Sequence, residues 1–88
     1  MDYVFYRKDV YNMITMNISL DSIEKIKSFV NTIAVYPYDF DLASGRYIVD
    51  AKSIMGIFSL DLSEPITLNI HTSEDAEELK KALAPYQI

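Results

Sequence analysis

Residues 13–33 read MITMNISLDSIEKIKSFVNTI, and within this stretch the spacing of the apolar residues changes once. From Met13 to Leu20 apolar and polar residues alternate, which is the period of a β-strand with one face exposed to water. From Asp21 the apolar residues recur at helical spacing, and Asp21 followed by Glu24 resembles the capping pair that begins a helix. The stretch therefore predicts a strand that leads into an amphipathic helix, with a core face formed by Ile23, Ile26, Phe29, Val30 and Ile33.

The middle of the chain predicts a β-hairpin followed by a short helix. Residues 38–49 alternate again, and we place the turn at Ala43-Ser44-Gly45. Ser53 is a good N-cap ahead of an apolar stretch, although Gly56 lowers the helix propensity of that stretch. A short helix after Ser53 is therefore expected.

The last part of the chain predicts a fourth strand and a final helix. Residues 66–71 alternate, and Thr72 or Ser73 is expected to cap a helix with an acidic first turn and lysines near its end. We expect the core face of this helix to be Ala76, Leu79 and Leu83. Each predicted strand is apolar on one face only, so the α+β order βαββαβα indicates an open-faced sandwich, with the sheet covered on one side.

Length and composition indicate one globular domain. The 88 residues are 50% hydrophobic and 24% charged, which leaves room for a single domain, residues 1–88. Residues 1–9 are an aromatic-rich extension of that domain. No apolar run is long enough for a membrane helix and no signal-peptide pattern is present, so we expect a soluble protein. The absence of cysteine excludes disulfides and thiolate metal sites, and it fits a cytoplasmic location.

The charge balance restricts the possible partners. Thirteen acidic against eight basic residues give a net charge of −5, the wrong sign for attraction to nucleic-acid phosphates or to anionic lipid. A single histidine also argues against most metal sites and most histidine-based catalysis. We therefore expect a protein that is not an enzyme, with no cofactor and no metal.

Residues 50–60, DAKSIMGIFSL, resemble the region around the regulatory serine of the HPr family. HPr proteins are the phosphocarriers of the bacterial sugar phosphotransferase system, and the same residues are equally similar to Crh, their relative in catabolite repression. The order of predicted elements matches this family from about Met13 to Tyr86. The resemblance implies an HPr-like fold, a four-stranded antiparallel sheet with three helices on one face.

The first predicted helix departs from the family pattern. HPr proteins carry the phosphoryl group on a histidine in a Gly-Ile-His-Ala-Arg-Pro-Ala type motif, which falls here on residues 20–26, LDSIEKI. Ser22 stands at the position of the phosphorylated histidine and Glu24 at that of the arginine. Serine cannot form the labile phosphoramidate, and an acid would repel the phosphoryl group. The resemblance therefore implies that carrier activity is absent.

His71 is the only histidine of the chain, and it has two interpretations. It could be a relocated phosphoacceptor or a lone ligand, or it could be an exposed polar residue on the wet face of the last strand. The residues around it offer no catalytic partner, and an antiparallel pairing of the first and last strands would place it far from Ser22. We expect the exposed polar residue.

The resemblance makes Ser53 the site of an ATP-dependent regulatory kinase, a role compatible with capping the helix. Lys52, Ile54, Met55 and Phe58 match the surface by which HPr proteins bind their partners. On a short helix these apolar positions cannot all face inward, so part of the surface is expected to be exposed. Ordinary core packing is the alternative.

Together these features predict a regulatory HPr-like protein that binds other proteins: an HPr-kinase-like enzyme, a transcriptional regulator or a protein of the phosphotransferase system. Direct binding of nucleic acid or membrane is not expected. In the alternative hypothesis the kinase site is vestigial and the chain is a structural module, whose aromatic N-terminus mediates self-association as a homodimer. A true phosphocarrier is the third hypothesis.

Overall fold

The computed structural model describes residues 13–88, so the aromatic-rich extension 1–9 lies outside the described residues. The elements, in chain order, are β1 (Met13–Ile18), α1 (Ile23–Ala34), β2 (Asp39–Ser44), β3 (Tyr47–Asp50), α2 (Ile54–Phe58), β4 (Ile66–His71), α3 (Glu77–Leu83) and a 3-10 turn (Ala84–Tyr86). The predicted order βαββαβα is confirmed.

The four strands form one antiparallel sheet in the order β1-β4-β2-β3. Alternate side chains of β2 and β4 are buried beneath the helices, as the period-2 pattern predicted: Phe40, Leu42, Ile66, Leu68 and Ile70. The three helices lie on this one face, which confirms the open-faced α+β sandwich. No helix within residues 13–88 is long and apolar enough to cross a membrane.

The start of α1 differs from the prediction. The N-cap is Ser22, whose hydroxyl oxygen accepts the N–H of Lys25 at 3.1 Å, and not Asp21. Ser22 is the last residue with an extended backbone, which is the geometry that a capping residue needs. Asp21 instead forms an ion pair with Lys25. Ile23 was predicted to be in the core but is 56% exposed. It is the first residue of the helix, where the apolar face of α1 is not covered by the rest of the protein.

The hairpin turn lies later than predicted. Ala43 and Ser44 belong to β2, and Ser44 pairs with Tyr47, so the turn consists of Gly45 and Arg46. Gly45 has a φ of 60°, in the left-handed region that two-residue hairpin turns require and that glycine adopts readily.

The start of α3 also differs from the prediction, since neither Thr72 nor Ser73 caps it. The N-cap is Ala76, which makes no side-chain cap hydrogen bond. Thr72 instead accepts the N–H of Glu74 at 3.0 Å, a local turn that competes with helix capping. Leu79 and Leu83 are buried as expected. Ala76 is partly buried against the core, but as the N-cap it precedes the helix and is not part of its core face.

The C-terminal residues cover one end of the β1 edge. The N–H of Ser19 donates to the carbonyl of Tyr86 at 2.8 Å, and the N–H of Ile88 donates to the carbonyl of Asn17 at 3.2 Å. Tyr86 is buried against the ring of Phe29 in an edge-to-face contact. Strand β1 is thereby partly protected as a sheet edge.

Candidate functional site

The helix α2 begins at Ser53, whose hydroxyl oxygen accepts the N–H of Gly56 at 3.2 Å. This confirms the predicted cap. The turn before the helix is held by Asp50, whose carbonyl accepts the N–H of Ser53 at 3.1 Å and whose carboxylate accepts the N–H of Lys52 at 2.9 Å. Ser53 is half-buried, and these hydrogen bonds hold the backbone on both sides of it.

Three apolar side chains beside Ser53 are exposed, and we call them the docking surface: Ile54 (38%), Met55 (80%) and Phe58 (49%). The fourth apolar side chain of the helix, Ile57, is fully buried and anchors α2 to the core. A helix of five residues has one side against the core, so the rest of its apolar surface faces solvent. The expected exposure is confirmed, and ordinary core packing is excluded for these three residues.

Lys52 is half-buried, and its ammonium group is bound within the protein. Its Nζ donates to the carbonyl of Tyr36 at 2.9 Å and lies 5.3 Å from the centroid of the Phe40 ring. These contacts link the start of α2 to the segment after α1. A partner contact through the ammonium of Lys52 would have to replace the hydrogen bond to Tyr36.

Gly56 permits a close approach of α2 to the sheet. A Cβ atom at position 56 would lie 3.2 Å from Cβ of Val49 in β3. From the sequence, Gly56 was only a residue that weakens a helix, and no sequence signal indicated this packing role. The absence of a side chain at Gly56 thus lets α2, and with it Ser53 and the docking surface, lie close to β3.

Ser22 has the same capping geometry in a charged environment. Glu24 is exposed in the first turn of α1, and Nζ of Lys25 lies 3.1 Å from Oδ1 of Asp21. The ammonium of Lys25 holds the pKa of Asp21 below its ordinary value of 3.8, through a hydrogen bond and through charge attraction. The cation nearest Ser22 along the chain is thus already paired with a carboxylate.

His71 lies at the opposite end of the sheet from Ser22, as expected. It pairs with Met13 at the start of β1, whereas Ser22 follows the end of that strand. Its side chain is exposed, as expected, and its Nε2 lies 2.7 Å from Oδ2 of Asp41, a contact that the residues around it in the sequence did not indicate. The other oxygen of Asp41 accepts a hydrogen bond from Asn69 at 2.8 Å. Only the pairing of β2 with β4 brings these residues together.

Within residues 13–88, no cluster of three or more His, Asp or Glu side chains is arranged to hold a metal ion. Among the described residues, the features with possible chemistry are the two serine caps, the apolar docking surface on α2 and the surface His71–Asp41 pair.

Comparison with known proteins identifies the class to which this fold and this surface belong. No protein-family model and no curated protein matches the chain. Among solved structures, the phosphocarrier protein HPr from Bacillus anthracis is 30% identical with a TM-score of 0.65, covering 86% of this chain and 98% of that chain. HPr-C-His from Thermoanaerobacter tengcongensis is 28% identical with a TM-score of 0.61, covering 83% of this chain and 86% of that chain.

The fold and these similarities define an HPr-like domain. Proteins of the HPr class interact with proteins of the phosphotransferase system and are not themselves enzymes. The chain belongs to the HPr family.

Proposed function

We propose that this HPr-family protein is regulatory, as Crh is, and does not act as a phosphocarrier. In this proposal it acts in the cytoplasm by binding proteins, with Ser53 as its regulatory phosphorylation site. The observation that carries the proposal is the docking surface, whose apolar side chains are exposed on the helix that Ser53 caps.

The loss of carrier activity is supported by the residues at the start of α1. Neither Ser22 nor its neighbours in residues 20–26 offer an imidazole nitrogen to accept a phosphoryl group. Asp21 and Glu24 add negative charge around the Ser22 hydroxyl, and the ammonium of Lys25 is bound to Asp21. A phosphoryl group carries negative charge of its own, so this environment opposes its transfer to position 22.

Phosphorylation of Ser53 would change the docking surface directly. The phosphate would add nearly two negative charges next to exposed apolar side chains and would compete for the first N–H groups of α2. A partner that buries Met55 and Phe58 would then have to desolvate the phosphate or provide a cation for it. Phosphorylation thereby selects between partners that carry such a cation and partners that do not.

The partners in this proposal are an HPr-kinase-like enzyme that modifies Ser53, and a transcriptional regulator or phosphotransferase protein that binds the docking surface. Lys52 belongs to the same surface, where its contribution requires release of its hydrogen bond to Tyr36. Ile54, Met55 and Phe58 require no such rearrangement, because they are already exposed.

The proposal is tested by incubation of the full chain with an HPr kinase and ATP, followed by intact-mass measurement. We expect the mass of one phosphate on the wild type and on the matched variant Ser22→Ala, and none on Ser53→Ala. Absence of uptake by the wild type would contradict the proposal and favour the alternative of a structural module with a vestigial kinase site.

A second incubation, with phosphoenolpyruvate and the first enzyme of the phosphotransferase chain, tests the absence of carrier activity. We expect no acid-labile phosphate on the wild type. Uptake that His71→Ala abolishes would show that His71 is a phosphoacceptor, and would contradict the regulatory assignment.

A further inference from the structure

Strand β3 is the last strand in the sheet order β1-β4-β2-β3, and within residues 13–88 no strand pairs with its outer side. The N–H of Ala51 donates to the carbonyl of Phe40 in β2 at 3.1 Å. In an antiparallel ladder alternate residues direct their backbone groups to the same neighbour, so Val49 and Tyr47 also bond to β2. Ile48 and Asp50 consequently direct their N–H and C=O groups away from the sheet. We call this outer side of Tyr47–Asp50 the β3 edge.

The side chains of the β3 edge favour pairing with another strand. Tyr47 is 71% exposed and Ile48 is 69% exposed, and aromatic and β-branched residues such as these are enriched in strands. The β3 edge contains no proline, and its one charged residue, Asp50, is the last residue of the strand, so residues 47–49 carry neither of these usual means of blocking an edge. The opposite edge, β1, differs because Tyr86 and Ile88 hydrogen-bond to part of it.

We propose that the β3 edge pairs antiparallel with the β3 edge of a second copy of this chain, about a two-fold axis through Ile48. In this register Ile48 lies opposite Ile48 of the second copy, Tyr47 opposite Val49, and Arg46 opposite Asp50. Because the dimer is symmetric, the Tyr47–Val49 pair and the Arg46–Asp50 pair each occur twice, once on each side of the axis. Residues with outward backbone groups then face one another, and apolar side chains meet across the axis.

Charge complementarity selects the second copy and this register. The ion pairs within residues 13–88 are Asp21–Lys25, Asp41–His71 and Glu77–Lys80, so Arg46 has no intramolecular ion-pair partner there. Centred on Ile48, the pairing places each Arg46 against an Asp50 carboxylate. A pairing centred on Tyr47 would place Arg46 opposite Ile48, and a pairing centred on Val49 would place Asp50 opposite Ile48. In both registers the charged side chain would have no opposite charge across from it.

The association is expected to be reversible. Specific stable complexes bury at least about 1,200 Å² in total, and a four-residue edge buries less than this. The net charge of −5 on each copy also opposes association. This proposal goes beyond the proposed function, because it requires neither phosphorylation of Ser53 nor occupation of the docking surface.

Sedimentation velocity of the full chain from about 10 μM to about 1 mM tests the proposal, in the range expected of a weak dimer. We expect a monomer–dimer equilibrium in the wild type that Ile48→Lys abolishes. Val35→Lys is the matched control. Val35 is 80% exposed at the end of α1, so this substitution adds the same charge at a site away from the β3 edge. A wild type that stays monomeric overturns the proposal, leaving residues 1–12 as the rival occupant of the edge. Equal weakening by the two lysine variants also overturns it.

A charge exchange tests the register. Arg46→Glu and Asp50→Lys each convert two attractive pairs into two repulsive ones, so each variant alone should self-associate roughly tenfold more weakly than the wild type. In an equimolar mixture both pairs are attractive again, and association should recover. A mixture that associates no better than either variant overturns the proposal, and circular dichroism verifies that both variants are folded.

Discussion

Ser22 and Ser53 cap two helices with nearly the same geometry and lie in opposite environments. Each hydroxyl oxygen accepts the N–H of the residue three positions later, at 3.1 Å for Ser22 and 3.2 Å for Ser53. Around Ser22 the first turn is charged, with Asp21 paired to Lys25. Around Ser53 the side chains are apolar and exposed. The comparison teaches that a shared backbone motif does not determine the chemistry of a site, since the neighbouring side chains decide what can approach the hydroxyl.

The largest expected effect is a gain of function at the first cap. The double variant Ser22→His with Glu24→Arg introduces an imidazole and a guanidinium at the two positions where the family resemblance puts the phosphorylated histidine and the arginine. We expect this variant to accept one acid-labile phosphate from phosphoenolpyruvate and the first enzyme of the phosphotransferase chain, measured by intact mass before and after acid treatment. Ser53→His is the matched control and should accept none. Failure of the double variant would contradict the placement of Ser22 at the carrier position.

The next effect concerns how each helix is anchored. Ile26 and Ile57 are both buried, but α1 has two other buried residues and α2 has none. Ile26→Ala and Ile57→Ala should each lower the free energy of unfolding by about 2–5 kcal/mol, measured by urea denaturation. Only Ile57→Ala should also abolish hydrogen-exchange protection of α2 while the sheet stays protected. Retained protection of α2 would show that its other contacts with the protein are sufficient to hold it without Ile57.

A smaller effect follows from removal of either cap. Ser22→Ala and Ser53→Ala should each lower the free energy of unfolding by about 1 kcal/mol, because each leaves one helix N–H without its partner. Asparagine at either position should recover most of the loss, since it also caps well. If the free energy of unfolding falls in Ser22→Ala but not in Ser53→Ala, the Ser53 cap contributes little to the stability of α2.

The smallest effect concerns the charged environment of Ser22. Lys25→Ala should raise the pKa of Asp21 toward its ordinary value of 3.8, followed by NMR titration of the carboxyl carbon. Because Lys25 depresses the pKa in the folded state, the ion pair stabilises the protein above the unfolded-state pKa, and this contribution is lost as the pH falls through the folded-state pKa. The pKa of Asp61, which Ser63 lowers through hydrogen bonds, is the control and should not move.

The elements of the fold were predictable from the sequence because burial imposes a period on the apolar residues. The alternation in residues 13–20 and the helical spacing from Ile26 to Ile33 follow directly from which side chains face the core. Helix starts were less predictable. Asp21, Ser22, Thr72 and Ser73 can all accept backbone hydrogen bonds, and the sequence does not state which of them adopts the extended conformation of a cap.

The candidate site was predictable in part. Ser53 and its apolar neighbours were identified from the residues and from the family resemblance, and the structure confirmed the cap and the exposure. The partner of His71 was missed, since Asp41 is 30 residues away and only the pairing of β2 with β4 brings the two together. The internal hydrogen bond of Lys52 was missed for the same reason.

The sequence by itself determined the order of strands and helices, the negative charge, and the absence of a histidine from residues 20–26. These properties depend on composition and on periods of a few residues, which are local. Only the tertiary structure decided that α2 has a single buried anchor, that Ile23 is exposed, and that β3 lies at the edge of the sheet. Each of these depends on which distant residues cover a surface, and that is set by packing between elements.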